Sequence, residues 1–193
     1  MPYIKKHADS RIQDFMDKIK NIVLGVTGSI AAYKAADLVS KLSKENYNVT
    51  VIMTQSALNL IGERTFFTLS KNKVVTSLWE LPEWQPGHVE LALKAKLLLI
   101  APATANIIGK IANGIADDAL STFALSHSGK IIMAPAMNVR MWNNEAVKEN
   151  CKKLASRGVI FIGPEKGRLA CGEDGEGRMS EPEKILTLIK KMI

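Results

Sequence analysis

Asn21-Ile22-Val23-Leu24-Gly25-Val26-Thr27-Gly28-Ser29 decides the fold. Seven residues that read as a buried strand run into a glycine turn. Ile30 to Lys44 then carries apolar residues at Ala31, Ala35, Leu38, Val39 and Leu42, a helical spacing. Tyr47 to Met53 alternates at Val49, Val51 and Met53 and predicts a second strand. A strand, a helix and a strand in this order make a β-α-β unit, which implies parallel strands and a right-handed crossover.

The same alternation continues outward. Thr54-Gln55-Ser56 turns into another helical segment, Thr65 to Leu69 reads as a helical turn and Val74 to Thr76 as a short strand. Leu81 to Gly87, with Pro82 and Pro86, reads as a loop, and His88 opens a short amphipathic stretch ending near Lys94. Further core strands are expected at Lys96–Ala101, Ile131–Ala134 and Val159–Ile162. Helices are expected at Ile107–Ala112, Asp118–Ser126, Asn143–Arg157 and Pro182–Met192, the last with proline suited to its first turn. The expected fold class is α/β, a parallel sheet with helices on both faces. Residues 21–193 are read as one domain. Residues 1–20 are read as an N-terminal extension, with a short helix striped by Ile12, Phe15, Met16 and Ile19.

A net charge of +7 in 193 residues, without a run of five basic residues or interleaved aromatics, favours an anionic small molecule over nucleic acid. Leu97 to Ala116 is the most apolar stretch, yet it contains Pro102, Asn106, Lys110 and Asn113 and does not read as a membrane span. The first 20 residues are polar and charged, unlike a signal peptide. Two cysteines, Cys151 and Cys171, make no disulfide framework. Together these point to a reducing, cytoplasmic compartment. The histidines at 7, 88 and 127 lack ligand spacing, so no metal is expected.

Four places can carry chemistry. Backbone N–H groups after Gly28 could hold a phosphate with help from Ser29, although a ligand-free tight turn fits equally and the spacing is not the dinucleotide fingerprint. Thr54-Gln55-Ser56 and Thr104-Ala105-Asn106 place uncharged polar groups at strand carboxyl ends, a set that suits a mononucleotide with a flat heteroaromatic ring. Pro135-Ala136-Met137-Asn138 follows a strand end; the Asn138 amide could orient a carboxylate or simply cap the next helix. Residues 163–180 hold five glycines without apolar periodicity, together with Arg168, Cys171, Arg178 and Met179, and read as a binding flap rather than a spacer. His88 could serve as acid or base, or be a solvated cap.

Gly28-Ser29-Ile30-Ala31-Ala32-Tyr33-Lys34, Pro102-Ala103-Thr104-Ala105-Asn106, Pro135-Ala136-Met137-Asn138 through Met141-Trp142, and Ala170-Cys171-Gly172 through Gly177-Arg178-Met179 occur in that order. Together they resemble the homo-oligomeric flavin-containing cysteine decarboxylases. The nearest likeness is to members that decarboxylate 4′-phosphopantothenoylcysteine to 4′-phosphopantetheine in coenzyme A biosynthesis, free-standing or as the first half of a bifunctional protein. The resemblance implies a Rossmann-like flavodoxin-type fold, non-covalent FMN, and a homotrimer or a dodecamer of trimers. It also implies a phosphopantothenate–cysteine ligase domain in cis or in trans. By position, FMN contacts fall on Gly28, Ser29, Ile30, Thr54, Ser56, Thr104, Ala105, Asn106, Ile107 and Ala136. The acid/base histidine falls on His88, the substrate asparagine on Asn138 and the proton-donating cysteine on Cys171. Arg168, Ala170 and Met179 fall on positions that cover the substrate. The implied chemistry is transient thiol oxidation by the flavin, loss of carbon dioxide and re-reduction, with no net redox change. Peptidyl-cysteine decarboxylases that release an enethiol and phosphatase-binding regulatory relatives share the likeness. The cysteine flap speaks against the first, and the presence of His88, Asn138 and Cys171 against the second.

Overall fold

The computed structural model describes residues 20–79 and 95–193. The expected N-terminal helix and His88 lie outside them. Five parallel strands form one sheet: β1 (Lys20–Val26), β2 (Tyr47–Met53), β3 (Leu97–Ala103), β4 (Lys130–Pro135) and the two-residue β5 (Ile160–Phe161). Their order is β2-β1-β3-β4-β5. This is the flavodoxin-like order, and its direction switches between β1 and β3.

Strand alternation explains the two cores. Ile22, Leu24 and Val26 of β1 face one side with Leu97 and Leu99 of β3. There they meet α1 (Ala32–Lys44) through Ala35, Leu38, Val39 and Leu42, and α8 (Pro182–Met192) through Ile185 and Ile189. Between these helices in chain order come α2 (Gln55–Leu58) and α3 (Glu63–Ser70), which place Ala57 and Phe66 in the same core. Val23, Leu98 and Ile100 point the other way, onto α4 (Ala105–Ala112) and α5 (Ala119–Ser126). After β4 come the short α6 (Val139–Trp142) and α7 (Glu145–Ser156), whose Leu154 joins that second core. Gly25 allows the close approach of α5, since a Cβ there would lie 2.5 Å from Leu120 Cδ1.

Three local differences from the sequence reading have physical causes. β3 runs two residues past Ala101, through Pro102, because the ladder shifts register between Ile100 and Ala103. A proline N–H is not needed at such an irregularity. The helix expected over Asn143–Arg157 is α7, which begins at Glu145 because Asn144 caps it through its own bond from Ala146 N, and a short helix that was not expected, α6, precedes it under the cap of Asn138. The glycine-rich segment at 163–180 is not a loop. It contains an antiparallel hairpin of β6 (Glu165–Arg168) and β7 (Asp174–Arg178), closed by a turn in which Leu169 N donates to Glu173 O. Glycine replaces apolar side chains along this hairpin because it packs by backbone contact, so period-2 hydrophobicity could not announce it.

Candidate active site

The site is built at the carboxyl ends of the strands. Thr27 ends β1 in a buried position; its Oγ1 donates to Pro102 O at 2.7 Å and accepts from Thr104 N at 3.1 Å. One hydroxyl therefore ties the β1 exit to the β3 exit across the switch point. Ser29 N donates to Thr27 O, and Ser29 in turn accepts from Ala32 N at its carbonyl and from Ala31 N at its Oγ, starting α1. Gly28 lets this turn press on α2: a Cβ there would lie 2.4 Å from Ser56 Cβ.

The β4 exit carries the asparagine. Asn138 Oδ1 accepts from Met141 N at 2.8 Å and caps α6, while the residue itself is exposed. Capping and ligand orientation are compatible, since the cap uses only the carbonyl half of the amide and leaves the NH₂ donors for other work. Ala136 N donates to Ala103 O, so this turn too is tied to β3.

The hairpin lies directly on that turn. Met137 N donates to Gly177 O at 3.0 Å, and a Cβ on Gly177 would lie 2.2 Å from Met137 O. A Cβ on Gly175 would lie 2.6 Å from Val139 Cγ2. Trp142 Nε1 donates to Glu176 Oε2 at 3.3 Å, and Arg140 pairs with Glu173 at 3.4 Å near the hairpin tip. The hairpin's root is held by Lys34 of α1, whose ammonium is buried, donates to Met179 O and pairs with Glu181 at 2.7 Å.

These three pieces enclose a cavity of about 600 Å³. Its wall includes Ser29, Ile30, Ala136, Asn138, Arg168, Ala170, Cys171 and Met179, which the sequence picked out from three separate stretches. Gly28, Thr54, Ser56, Thr104, Ala105, Asn106 and Ile107 sit at neighbouring strand exits but are not on this wall. Thr54 caps α2, and Ile107 is packed in the core. The volume is of the size that holds small ligands and cofactors. The wall near β1 is bare backbone, a serine and an exposed Ile30, which fits a phosphate and the apolar face of a flat ring. Cys171 is exposed, whereas burial pushes the Cys151 thiol above its ordinary pKa and keeps it protonated.

Lys34 and Arg178 also line the cavity, although the sequence reading gave neither a site role of its own. For Lys34 a signal existed: it falls three residues after Ala31 and four before Leu38, on the apolar stripe of α1. A lysine on such a stripe is rarely buried without a partner. Arg178 stood in the segment read as a binding flap, with nothing to set it apart from its charged neighbours. The wall thus holds Lys34, Arg168 and Arg178, an electropositive setting for an anionic ligand.

The Flavoprotein family profile matches residues 10–193. The coenzyme A biosynthesis bifunctional protein CoaBC of Borreliella burgdorferi is 46% identical over 174 residues, which cover 90% of this chain and 45% of that protein. CoaBC of Bacillus subtilis is 47% identical over 175 residues, covering 89% of this chain and 43% of its own length. The chain therefore spans under half the length of these curated relatives. Among solved structures, a cysteine-to-serine mutant of a PPC decarboxylase complexed with pantothenoylaminoethenethiol superposes with a TM-score of 0.79 at 32% identity, covering 91% of this chain and 98% of that one. The FMN-dependent cysteine decarboxylase SpaF superposes with a TM-score of 0.78 at 27% identity, covering 92% and 99%.

Proposed function

The chain belongs to the Flavoprotein family, and from that premise we propose that it is an FMN-dependent decarboxylase converting 4′-phosphopantothenoylcysteine to 4′-phosphopantetheine in coenzyme A biosynthesis. The observation that carries this reading is the single cavity joining the Ser29 turn, the Asn138 turn and the Cys171 hairpin. FMN, when bound, supplies a reversible two-electron acceptor for the substrate thiol. The residues present fit it: the Ser29 hydroxyl at the entry to α1 would take the phosphate, and Ile30 and Ala136 would border the ring.

The chain's own part is positioning and proton transfer. Asn138 holds the substrate carboxylate through its NH₂ while its carbonyl keeps the cap on α6. Holding the reacting group in place supplies the orientation that decarboxylation needs. Arg168, Ala170 and Met179 cover the substrate, and the positive wall balances its phosphate and carboxylate. Cys171, on the exposed hairpin tip, gives the proton that completes the saturated product, and the closed hairpin keeps water from the reacting carbon. His88 is proposed as acid/base in the oxidative step. General acid–base steps of this kind are worth about 10²–10⁴ in rate. The chain is further proposed to act in the cytoplasm as a homotrimer or a dodecamer of trimers, with a phosphopantothenate–cysteine ligase domain in cis or in trans. Among the described residues no helix is long and apolar enough to cross a membrane.

The test is turnover of 4′-phosphopantothenoylcysteine followed by mass spectrometry. The saturated thiol is the expected product. An enethiol as the normal product would instead match the peptidyl-cysteine type, and absence of carbon dioxide release would refute catalysis. Cys171→Ser should still decarboxylate but stop at the unsaturated product. Normal yield of saturated thiol from that variant would sink the role given to Cys171.

A further inference from the structure

We propose that Glu181 is a positioning residue for this reaction: it seats Lys34 and Arg178, and through them sets the root of the hairpin that carries Cys171. The inference rests on the decarboxylase reading above and deepens it. Glu181 Oε1 accepts from Lys34 Nζ at 2.7 Å and from Arg178 NH2 at 3.2 Å. One carboxylate oxygen thus serves two cations that both line the cavity. Glu181 itself is not on the wall, so it acts through them rather than on the substrate.

The structural case comes from what each cation touches. Lys34 is buried on α1, four residues after the exposed Ile30 that borders the proposed cofactor face. Its ammonium also donates to Met179 O, so it bridges α1 to the residue that ends the hairpin. Arg178 lies over β6: a Cβ on Gly167 would lie 2.8 Å from its NH1. Glu181 therefore connects α1, β7 and, through Arg178, β6. A buried ammonium deprived of its carboxylate is strongly unfavourable and must turn toward water or take another anion. Without Glu181 the ammonium, which already lines the cavity, can turn into it, and the Lys34 bond to Met179 O goes with the move. Among the described residues the hairpin tip has no comparable anchor, because Arg140 stands almost wholly in solvent beside Glu173 and such pairs hold weakly. Seating at the root is what fixes where Cys171 stands when the hairpin closes.

The decisive readout is product partition. The unsaturated and saturated products differ by one hydride, returned from the cofactor, and one proton, ascribed to Cys171. A loosened root misplaces the thiol without touching carbon dioxide loss, so the two should separate. Holoenzyme of wild type, Glu181→Gln, Glu181→Asp and Lys190→Met is given 4′-phosphopantothenoylcysteine, and both products are quantified. Glu181→Gln should raise the ratio of enethiol to saturated thiol by about tenfold or more, since a misplacement on the order of 1 Å costs about 10²-fold in rate. Glu181→Asp, which keeps the charge, should return the ratio part of the way. Lys190→Met removes the Lys190–Glu45 pair, 2.8 Å long and away from both the hairpin and the cavity wall, and should leave the ratio unchanged. An unaltered ratio in Glu181→Gln, or an equal rise in Lys190→Met, overturns the proposal. Amide hydrogen exchange at residues 177–179 reads the seat independently of turnover: faster exchange in Glu181→Gln supports it, and wild-type exchange refutes it. Wild-type protein that releases no carbon dioxide would sink the decarboxylase reading itself, while the exchange result still judges the seat.

Discussion

Replacing Gly177 by alanine should open the site without unfolding the protein. A Cβ there would stand 2.2 Å from Met137 O, more than an ångström inside ordinary van der Waals contact, and 3.3 Å from Leu169 Cδ2. The clash is with backbone, so no rotamer change relieves it. Either the core accepts the strain, at about 1–3 kcal/mol for an overpacked site, or the hairpin lifts from the asparagine turn. Lifting breaks the Met137 N to Gly177 O bond, worth about 0.5–1.5 kcal/mol net. It also frees the exposed contact of Trp142 with Glu176. Lifting is the cheaper course, and the melting temperature should fall by only about 1–6 °C, at roughly 2–4 °C per kcal/mol for a chain of this size. The displaced β7 pulls Cys171 and Arg178 away from Asn138, and kcat/KM should drop about 10²-fold. The assays are thermal unfolding by circular dichroism and product quantification by mass spectrometry. Gly114→Ala is the control: Gly114 has a φ of +73° and open space around it, so alanine there costs strain of about 1–2 kcal/mol far from the cavity wall. Wild-type turnover in Gly177→Ala, or an equal loss in Gly114→Ala, would refute the reasoning.

Thr27→Val orphans Pro102 O and Thr104 N at once; at about 1–3 kcal/mol for each unsatisfied buried group, the melting temperature should fall by at least roughly 4 °C, and retention of FMN on gel filtration should fall with it. Asn138→Ala should cost about 0.5–2 kcal/mol by losing the cap, whereas Asn138→Asp should keep the cap and the stability yet lose turnover, because its carboxylate repels that of the substrate; retained turnover in Asn138→Asp would return the residue to capping alone. Burial pushes the Asp118 carboxyl up, but donors from Lys110 and Ser121 outweigh it and hold the pKa below the ordinary value. Its contribution to stability is therefore complete above the unfolded value of about 3.9 and is lost as pH falls through the lower folded one. Lys110→Met should flatten that acid limb of the stability curve, which urea unfolding between pH 5 and pH 2 measures, those limits chosen to bracket an ordinary aspartate of about 3.9.

The sheet was legible because its strands are buried on both faces, so each appears as an apolar run bounded by a turn. β2 and α8 fall where expected to the residue. Boundaries slipped where a backbone feature rather than a pattern decides them, as at Pro102 inside β3 and at the paired caps Asn138 and Asn144. Composition set the glycine-rich segment apart from a spacer, yet its strands were invisible, because Gly167, Gly175 and Gly177 pack through their backbones. Eight of the site residues singled out in the sequence meet on one wall, because strand carboxyl ends converge whatever their separation in the chain. The charges behind the wall were harder to see. Lys34 needed the observation that a cation occupies an apolar stripe, and its partner Glu181 lies 147 residues away.

The hairpin has one further consequence. Before Met179 it adds no side chain to either buried core. Its sequence is therefore released from the packing demands that constrain the sheet, and exchange of its tip trades recognition rather than foldedness. Such a division lets a lineage acquire new substrates by rewriting about a dozen residues over an unchanged scaffold, in the way that loops on rigid frames diversify elsewhere. It also makes residues 169–173 the natural place for an engineer to graft a different specificity, provided Cys171, Gly177 and the root beneath it are left alone.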